Sequence, residues 1–254
     1  MIKFFRKIRQ NLLSENKFSK YLIYAIGEII LVVIGILIAL QINNNNNYKE
    51  QRKTEQEYLN SLQTEFESNL KKLNASINEN EVRIHALENL LTLFDTYVLD
   101  SIKDNSISLM LHPVFGSDLS YNPSLGVLSD IISSGKLNII LNKSLRQKLA
   151  SFQSSLDYFK IQVEEAYYMK QSLKSILFKE ISILTVQKDI GRQFKNHSIS
   201  ESVNNKLVFN SVELENYLLD YLLVTKAAND SRFMGGLKED IEFILKEIEN
   251  ELSK

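Results

Sequence analysis

A single carboxylate interrupts the longest apolar run of the chain. Glu28 is the one formal charge within "YLIYAIGEIILVVIGILIALQI", residues 21–42. A charge near the centre of a bilayer costs at least about 2.5–3.5 kcal/mol on insertion scales, so a carboxylate there needs a partner or water. On a helical wheel Glu28 shares one face with Val32, Gly35 and Ala39, and the last two have the small-xxx-small spacing that lets helices approach closely.

Three roles for Glu28 are open. A protonated Glu28 can hydrogen-bond across a helix pair, which predicts a membrane helix contact within a homo-oligomer or with a partner membrane protein. Alternatively, Glu28 lies in the cytoplasmic half of the span and reaches the inner headgroups or a local water defect. The third role is in a proton or ion path, although one span offers no second polar helix to complete a route.

His85 is the histidine with acidic residues at helical spacing. It follows Glu81 by four residues and precedes Glu88 by three. A metal ion would need further ligands from other helices, and the sequence contains neither paired Glu-x-x-His motifs nor His-Glu-x-x-His. Because His85 sits beside an apolar stripe, we expect an exposed helix face. His112 and His197 are predicted in loops without arranged partners, so the sequence predicts no metal, cofactor or catalytic residue.

Several aromatic and acidic residues occur on the later predicted helices. Glu164 and Glu165 are adjacent, and adjacent helical residues point 100° apart, which argues against a paired-carboxylate acid/base site. "SGK" at 134–136 lacks the upstream glycine of a phosphate loop. Five tyrosines have the spacing either to line a ligand groove or to fill the core, which is the commoner role: Tyr158, Tyr167, Tyr168, Tyr217 and Tyr221.

The composition favours an all-α chain. Among 254 residues there are 8 Gly and 2 Pro, which is too few turn residues for an all-β fold or a Gly-rich phosphate loop. The 30 Lys and Arg nearly balance the 31 Asp and Glu, so we expect no nucleic-acid partner. The absence of Cys excludes disulfides, thiolate metal sites and Cys nucleophiles.

Residues 21–42 are long enough to cross a bilayer, which needs about 20 apolar residues. A cleaved signal peptide is the alternative, but its apolar region is shorter and ends in small residues, so we expect an uncleaved anchor. Basic residues dominate positions 1–20 and place them in the cytoplasm, with 43–254 extracytoplasmic. We expect four of these basic residues to contact the anionic inner leaflet: Lys3, Arg6, Lys7 and Arg9. The alternative is that they serve only as the topology signal.

Helical periodicity organises the rest of the chain. The Asn run 43–47 is interpreted as a hydrated exit from the bilayer. Residues 100–121 are predicted to be a connector, and 183–209 a loop with a short turn. Asn122, Asn142 and Ser211 are predicted N-caps, and Gly135 a helix stop. The predicted helices of an extended antiparallel bundle are 48–99, 123–134, 143–182, 211–228 and 236–252.

Two of these helices carry apolar residues at coiled-coil-like steps of three and four. The first series runs from Leu59 to Val98 with one polar slot, at Asn80. The second runs from Leu145 to Leu177 and skips one slot, at Lys170. A kink or break is predicted at Asn229–Gly236, because the apolar series before and after this stretch are out of phase.

The N-terminus and a later stretch resemble a known family. "MIKFFRKIRQNLLSENKFSKYLIYAIGEIILVVIGILIALQINN", followed by "SSGKLNIILNKSLRQKLASF", resembles a family of uncharacterised Bacteroidota proteins, a domain of unknown function. The resemblance implies a single-pass membrane protein without an assigned activity, and a periplasmic location for 43–254. Similar proteins carry a Trp shortly after "INN", where this chain has Asn45.

Two functional hypotheses follow. The first is a non-enzymatic scaffold or adaptor in the inner membrane that acts through protein–protein contacts. The second is a periplasmic helical-bundle sensor that binds a small ligand and signals through a partner membrane protein, because a cytoplasmic part of about 20 residues is too short for an output domain. A membrane-bound enzyme is disfavoured by the missing motifs.

Overall fold

The computed structural model describes residues 18–195, 197 and 199–254. Every regular element within these residues is a helix and none is a strand, which confirms the all-α prediction. The chain divides into two units, Met1–Gln56 and Glu57–Lys254.

Helix α1 runs from Phe18 to Leu91 without interruption. The sequence predicted separate helices at 21–42 and 48–99, but the Asn run 43–47 is helical. No Gly or Pro occurs between Gly35 and Pro113, and each Asn costs a helix no more than about 0.7 kcal/mol relative to Ala, which explains the continuity.

The predicted helix 48–99 ends earlier than expected. After α1 the chain forms a 3-10 turn, Thr92–Phe94, and a short helix α2, Thr96–Ser101. The Asp95 carboxylate accepts a hydrogen bond from the Tyr97 backbone N–H at 2.9 Å and caps α2. This local cap opens a new helix, so the later apolar residues of the periodic series belong to a different element.

The predicted connector 100–121 contains a 12-residue helix, α3, Asp104–Phe115. Pro113 lies inside it, near the C-terminal end, where the missing N–H removes a single backbone hydrogen bond. Its buried residues are Ile107, Ser108, Leu111 and Val114, which share one face. Tertiary packing of that face therefore outweighs the helix-breaking signal of the proline.

Helix α4, Gly126–Ser133, begins later than the predicted Asn122 cap and has no local side-chain cap. Its N-terminus is capped by α1 instead. The Glu65 carboxylate accepts from the backbone N–H groups of Val127 at 2.8 Å and Leu128 at 3.1 Å. Gly135 ends this segment with a φ of 69°, as the predicted helix stop requires.

Three helices form the later part of the bundle: α5, Lys143–Glu180, and, near the C-terminus, α7, Val212–Ala227, and α8, Met234–Leu252. The predicted caps are confirmed, with Asn142 accepting from Leu145 N–H and Ser211 from Leu214 N–H. The predicted loop 183–209 also contains a helix, α6, Ile183–Asp189, and two 3-10 turns, Ile199–Ser202 and Asn205–Asn210.

Helices α7 and α8 pack antiparallel to α5. The Asn142 amide, at the start of α5, donates to the Glu251 carboxylate at 3.0 Å, near the end of α8. Further along α5, the Gln162 amide donates to the Val224 carbonyl at 2.7 Å. Residues later in α5 thus contact residues earlier in the C-terminal part of the chain, which is the pattern of antiparallel helices.

The part of α1 within the second unit runs in the same direction as α5. Tyr58 accepts a hydrogen bond from Lys136 at 2.9 Å, and eight residues later the Phe66 ring lies 5.1 Å from the Phe152 ring, edge to face. The long connection through α2, α3 and α4 allows this parallel arrangement, because it returns the chain to the end at which α1 entered the unit.

The corner between α7 and α8 depends on glycine. Residues 228–233 turn the chain so tightly that the Met234 N–H donates to the Ala228 carbonyl at 3.0 Å. A Cβ on Gly236 would lie 2.1 Å from the Ser231 carbonyl oxygen, which no side chain tolerates. The predicted break is therefore a tightly wound connection, residues 228–233, between two helices that both run antiparallel to α5.

Candidate functional site

A cluster of polar side chains lies within the second unit and is here named the polar centre: Asn80, Arg83, Ser117, Asp118 and Lys170. The Lys170 ammonium is almost fully buried and donates to the Ser117 carbonyl and to the Asp118 carboxylate, each at 2.6 Å. The Arg83 guanidinium is also buried, and its Nη2 donates to the same carbonyl at 3.4 Å and to the Ser117 hydroxyl at 3.0 Å.

Asn80 connects the polar centre to α7. Its side chain is fully buried, and its amide nitrogen donates to the Thr225 carbonyl and to the Asn229 side-chain oxygen, each at 2.9 Å. Its oxygen accepts from Nη1 of Arg83 at 2.9 Å. Asn80, the one polar residue in the first apolar series, therefore forms hydrogen bonds with both the nitrogen and the oxygen of its amide, as a buried polar group must.

The charges of the polar centre are unevenly exposed. The side chains of Arg83 and Lys170 are 1% and 3% exposed, whereas their acidic partners Glu79 and Asp118 are 56% and 60% exposed. Burial lowers the pKa of the Lys170 ammonium, although the hydrogen bond to Asp118 acts in the opposite direction. The same hydrogen bond lowers the pKa of the Asp118 carboxyl. Positive charge therefore lies inside, with negative charge towards solvent.

A cavity of about 380 Å³ adjoins the polar centre and is here named the tyrosine cavity. Its charged lining consists of Lys170, Asp118 and the exposed Glu164. Three of the five tyrosines named from the sequence line it, Tyr167, Tyr168 and Tyr221, together with the apolar residues Leu119, Val163 and Ala166. A concave, mostly apolar surface with a few polar groups is typical of small-molecule sites.

Tyr221 differs from the other tyrosines of the cavity. It is 1% exposed, whereas Tyr167 and Tyr168 are about half exposed or more. Burial raises the pKa of the Tyr221 phenol to about 12. Its hydroxyl forms no hydrogen bond with any other residue that the structure describes, so this buried donor remains available in the cavity wall.

The two remaining tyrosines lie elsewhere. The Tyr158 ring stacks on Phe233 with 5.2 Å between centroids and does not line the cavity. Tyr217 is partly buried and packs against the core. Three of the five tyrosines therefore lie where the ligand-groove interpretation needs them, and the core alternative fits Tyr217 and also Tyr221, which is buried in the core.

The histidines and paired acids do not assemble into a site. His85 is 72% exposed, as expected, and its Nδ1 lies 3.3 Å from Glu88, which also binds Lys226 at 2.6 Å. Glu81 instead accepts a hydrogen bond from Asn229. Among the described residues no three metal-ligating side chains come together.

His112, Glu164 and Glu165 also differ in placement. His112 is in the last turn of α3, not in a loop, and lines a second cavity of about 280 Å³. The other members of that lining include Phe178 and Arg192. Glu164 and Glu165 are both exposed, and only Glu164 reaches the tyrosine cavity.

The stripe predicted from the apolar run lies on α1 in the first unit. Val32, Gly35 and Ala39 are exposed, and Glu28 is partly exposed. A Cβ added at Gly35 would meet no atom within 4 Å, so packing within the chain does not require glycine there. The residues predicted to contact the inner leaflet, Lys3, Arg6, Lys7 and Arg9, lie outside the described residues.

Sequence reasoning did not name Arg83 or Asp118. Arg83 follows Asn80 by three residues, outside the apolar series, and nothing in its neighbourhood indicates burial. Lys170 and Asn80 gave a signal, because each occupies a position where the periodicity of its helix calls for an apolar residue.

Comparison with known proteins assigns a family. A family model described as "Family of unknown function (DUF6090)" matches residues 28–215. The chain belongs to this family. The DUF6090 match starts at Glu28, includes the whole polar centre and ends within α7, before Tyr221. Neither the comparison with curated proteins nor that with solved structures gives a match. Membership of the DUF6090 family thus brings no activity with it.

Proposed function

We propose that the protein is a membrane-anchored, non-enzymatic adaptor whose helical bundle acts through contacts with other proteins. The anchor is the apolar part of α1, which has the length and composition needed to cross a membrane. Fourteen large aliphatic side chains between residues 22 and 42 are exposed in the structure. This observation supports the membrane anchor in the proposal, because apolar surface of that extent is stable in lipid rather than in water.

The orientation follows from the basic residues that precede the span. An uncleaved anchor with a cytoplasmic N-terminus places residues 43–254 outside the cytoplasm, in the periplasm if the membrane is an inner membrane. The chain has no Cys, so single cysteines are specific reporters of its topology. Ser154→Cys, exposed on α5, should react with a membrane-impermeant maleimide in intact spheroplasts. Ser14→Cys should react only after lysis, and the opposite pattern would overturn the orientation.

Assembly in the membrane is proposed through the stripe of Glu28, Val32, Gly35 and Ala39. Gly35 has free space around its Cα, so packing among the described residues does not require a glycine there. Gly35 and Ala39 are four residues apart, and two small residues at this spacing allow another helix to approach closely. The glutamate on the same stripe supplies a hydrogen bond across the pair when protonated.

Glu28→Leu and Gly35→Leu should insert normally and weaken association in a membrane oligomerisation reporter several-fold. Gly27→Leu is the matched control, because Gly27 points about 110° away from the stripe and also has free space around it. Equal association of wild type and both stripe variants would contradict the helix contact. Crosslinking in native membranes identifies the partner, and a strictly monomeric protein without a co-purifying partner would contradict the adaptor role.

A second candidate function is a ligand sensor that signals through a partner membrane protein. The tyrosine cavity favours it, because Tyr167, Tyr168 and Tyr221 line one concavity with a buried cation, Lys170. Mass spectrometry of small molecules released from the purified full-length protein tests this role. A molecule retained by wild type and by Lys160→Met, which changes an exposed lysine of α5, should be lost from Lys170→Met.

A further inference from the structure

Two hydrogen-bond donors from different helices line the tyrosine cavity. The Lys170 ammonium belongs to α5 and the Tyr221 hydroxyl to α7, and both side chains are at least 97% buried. The ammonium has three N–H donors, of which two bind Ser117 and Asp118. The third, like the Tyr221 hydroxyl, has no acceptor among the residues that the structure describes. The polar end of a ligand held here is therefore an acceptor.

The charge around the cavity sets the charge of the ligand. Arg83 and Lys174 both act electrostatically on Lys170 and Asp118. Three acids lie near these cations, Asp118, Glu164 and the Glu79 that contacts Arg83, but all three are exposed to solvent, whereas Arg83 and Lys170 are buried. Water screens exposed charges more than buried ones, so the inner end of the cavity is cationic and favours one negative charge on the ligand. A second one would meet the exposed Glu164 in the cavity lining, so a dicarboxylate fits less well.

The rest of the lining sets the body of the ligand. Two exposed aromatic rings, Tyr167 and Tyr168, lie 6.1 Å apart edge to face, beside Leu119, Val163 and Ala166. Aromatic rings prefer edge-to-face and offset partners, so an aromatic group fits this wall. A volume of about 380 Å³ is at the small end of the roughly 300–1,000 Å³ that is usual for ligand pockets.

We propose that the tyrosine cavity binds a small aromatic monocarboxylic acid, with its carboxylate on Lys170 and Tyr221 and its ring against Tyr167 and Tyr168. This inference rests on the sensor as the second candidate function and names the ligand class that such a sensor takes. It adds no covalent step, because the donors hold the acid and leave it unchanged.

Calorimetric titration of the full-length protein in detergent tests the ligand class with three probes of similar shape. These are phenylacetate, the neutral 2-phenylethanol and the cationic phenethylamine. Phenylacetate should bind at least tenfold more tightly than either of the other two. Equal affinity of phenylacetate and 2-phenylethanol would overturn the role of the carboxylate.

Variants locate the binding. Tyr221→Phe removes one hydroxyl and should weaken phenylacetate about tenfold, while Tyr158→Phe, outside the cavity, should leave the affinity unchanged. Lys170→Met should abolish binding, and circular dichroism shows whether that variant remains folded. Unchanged affinity in Tyr221→Phe would overturn the site even if Lys170→Met fails to fold.

The two proposals fail differently. Preferred binding of phenethylamine would overturn the monocarboxylate class, while the cavity would keep its role as a ligand site and the sensor function would stand. If none of the three probes binds, and the purified protein releases no small molecule, the ligand class and the sensor function are both overturned.

Discussion

The side chains of Arg83 and Lys170 donate to one and the same oxygen, the backbone carbonyl of residue 117. The two cationic nitrogens therefore lie within about 6 Å of each other in an interior where charge repulsion is weakly screened. Neither is neutralised by a buried acid, since the carboxylates that contact them are more than half exposed. The structure thus holds like charges together through a shared acceptor.

This arrangement predicts a coupling between the two residues. Arg83→Met and Lys170→Met each remove hydrogen bonds, but each also relieves the repulsion felt by the remaining cation. Both single variants gain this relief, but the double variant gains it only once, so it should lose more unfolding free energy than the two single losses combined, by about 0.5–2 kcal/mol. Urea unfolding of the four full-length proteins in detergent measures this coupling.

A second cycle provides the control for the first. Combining Arg83→Met with Lys160→Met should be additive within about 0.5 kcal/mol, because Lys160 is exposed and pairs with Asp157. Additive behaviour in the Arg83 and Lys170 cycle as well would show that the repulsion does not affect stability.

Burial of Tyr221 predicts a loss of stability in alkali. Its pKa is raised to about 12 in the fold, above the usual value of 10.0, so the folded protein retains this proton while the unfolded chain loses it. The stabilisation is complete below pH 10 and declines as the pH rises towards 12. Relative to Tyr221→Phe, wild type should lose roughly 1 kcal/mol between pH 9 and pH 11.

Urea unfolding at a series of pH values gives the difference between these two proteins. Other tyrosines, including the buried Tyr121, titrate in both and cancel. A difference that stays constant from pH 8 to pH 11 would mean that Tyr221 ionises as readily in the fold as in the unfolded chain.

The corner before α8 should not tolerate a side chain at Gly236. A methyl group there would lie 2.1 Å from the Ser231 carbonyl oxygen, so Gly236→Ala should cost about 2–4 kcal/mol of unfolding free energy. Gly126→Ala is the matched control, because its nearest neighbour would be the Glu65 carboxylate at 3.7 Å. The control should be neutral or stabilising by up to about 1 kcal/mol. Thermal unfolding of both variants in detergent checks the contrast.

Capping of α4 from a distance predicts a specific cost at Glu65. Glu65→Gln replaces one accepting oxygen by an N–H₂ group that faces a backbone N–H, so it should destabilise by about 1–2 kcal/mol. Glu67→Gln changes an exposed residue of the same helix and should stay within about 0.5 kcal/mol of wild type. Equal stability of the two variants in urea would contradict the cap.

Local signals predicted much of the fold. Asn142 and Ser211 are bonded to backbone N–H groups three residues ahead, so the starts of α5 and α7 depend on a few adjacent residues. The start of α4 could not be predicted in this way, because its capping carboxylate comes from a residue 62 positions earlier. Pro113 likewise concealed α3, whose stability comes from burial of one face.

The sequence indicates the candidate site only through two polar residues at positions where an apolar residue is expected. Asn80 and Lys170 interrupt apolar series, which indicates that something polar is buried or that a face is exposed, and the sequence does not distinguish the two. Their shared neighbourhood is produced by Ser117 and Asp118, in a segment that looked like a connector. The partnership of Tyr221 with Lys170 depends on how α5 and α7 pack, and that relation has no sequence signature.

Asn80 also constrains the order in which the second unit forms. It meets the Thr225 carbonyl across 145 residues of chain, and Asn229 across 149. During synthesis α1 is made long before these partners exist, so Asn80 lacks both acceptors until α7 and the residues that follow it emerge. Contacts of such long range slow the folding search, because a large loop must close before they form. This unit therefore completes its folding late, and truncation within α7 before Thr225 would leave the buried Asn80 without its acceptors.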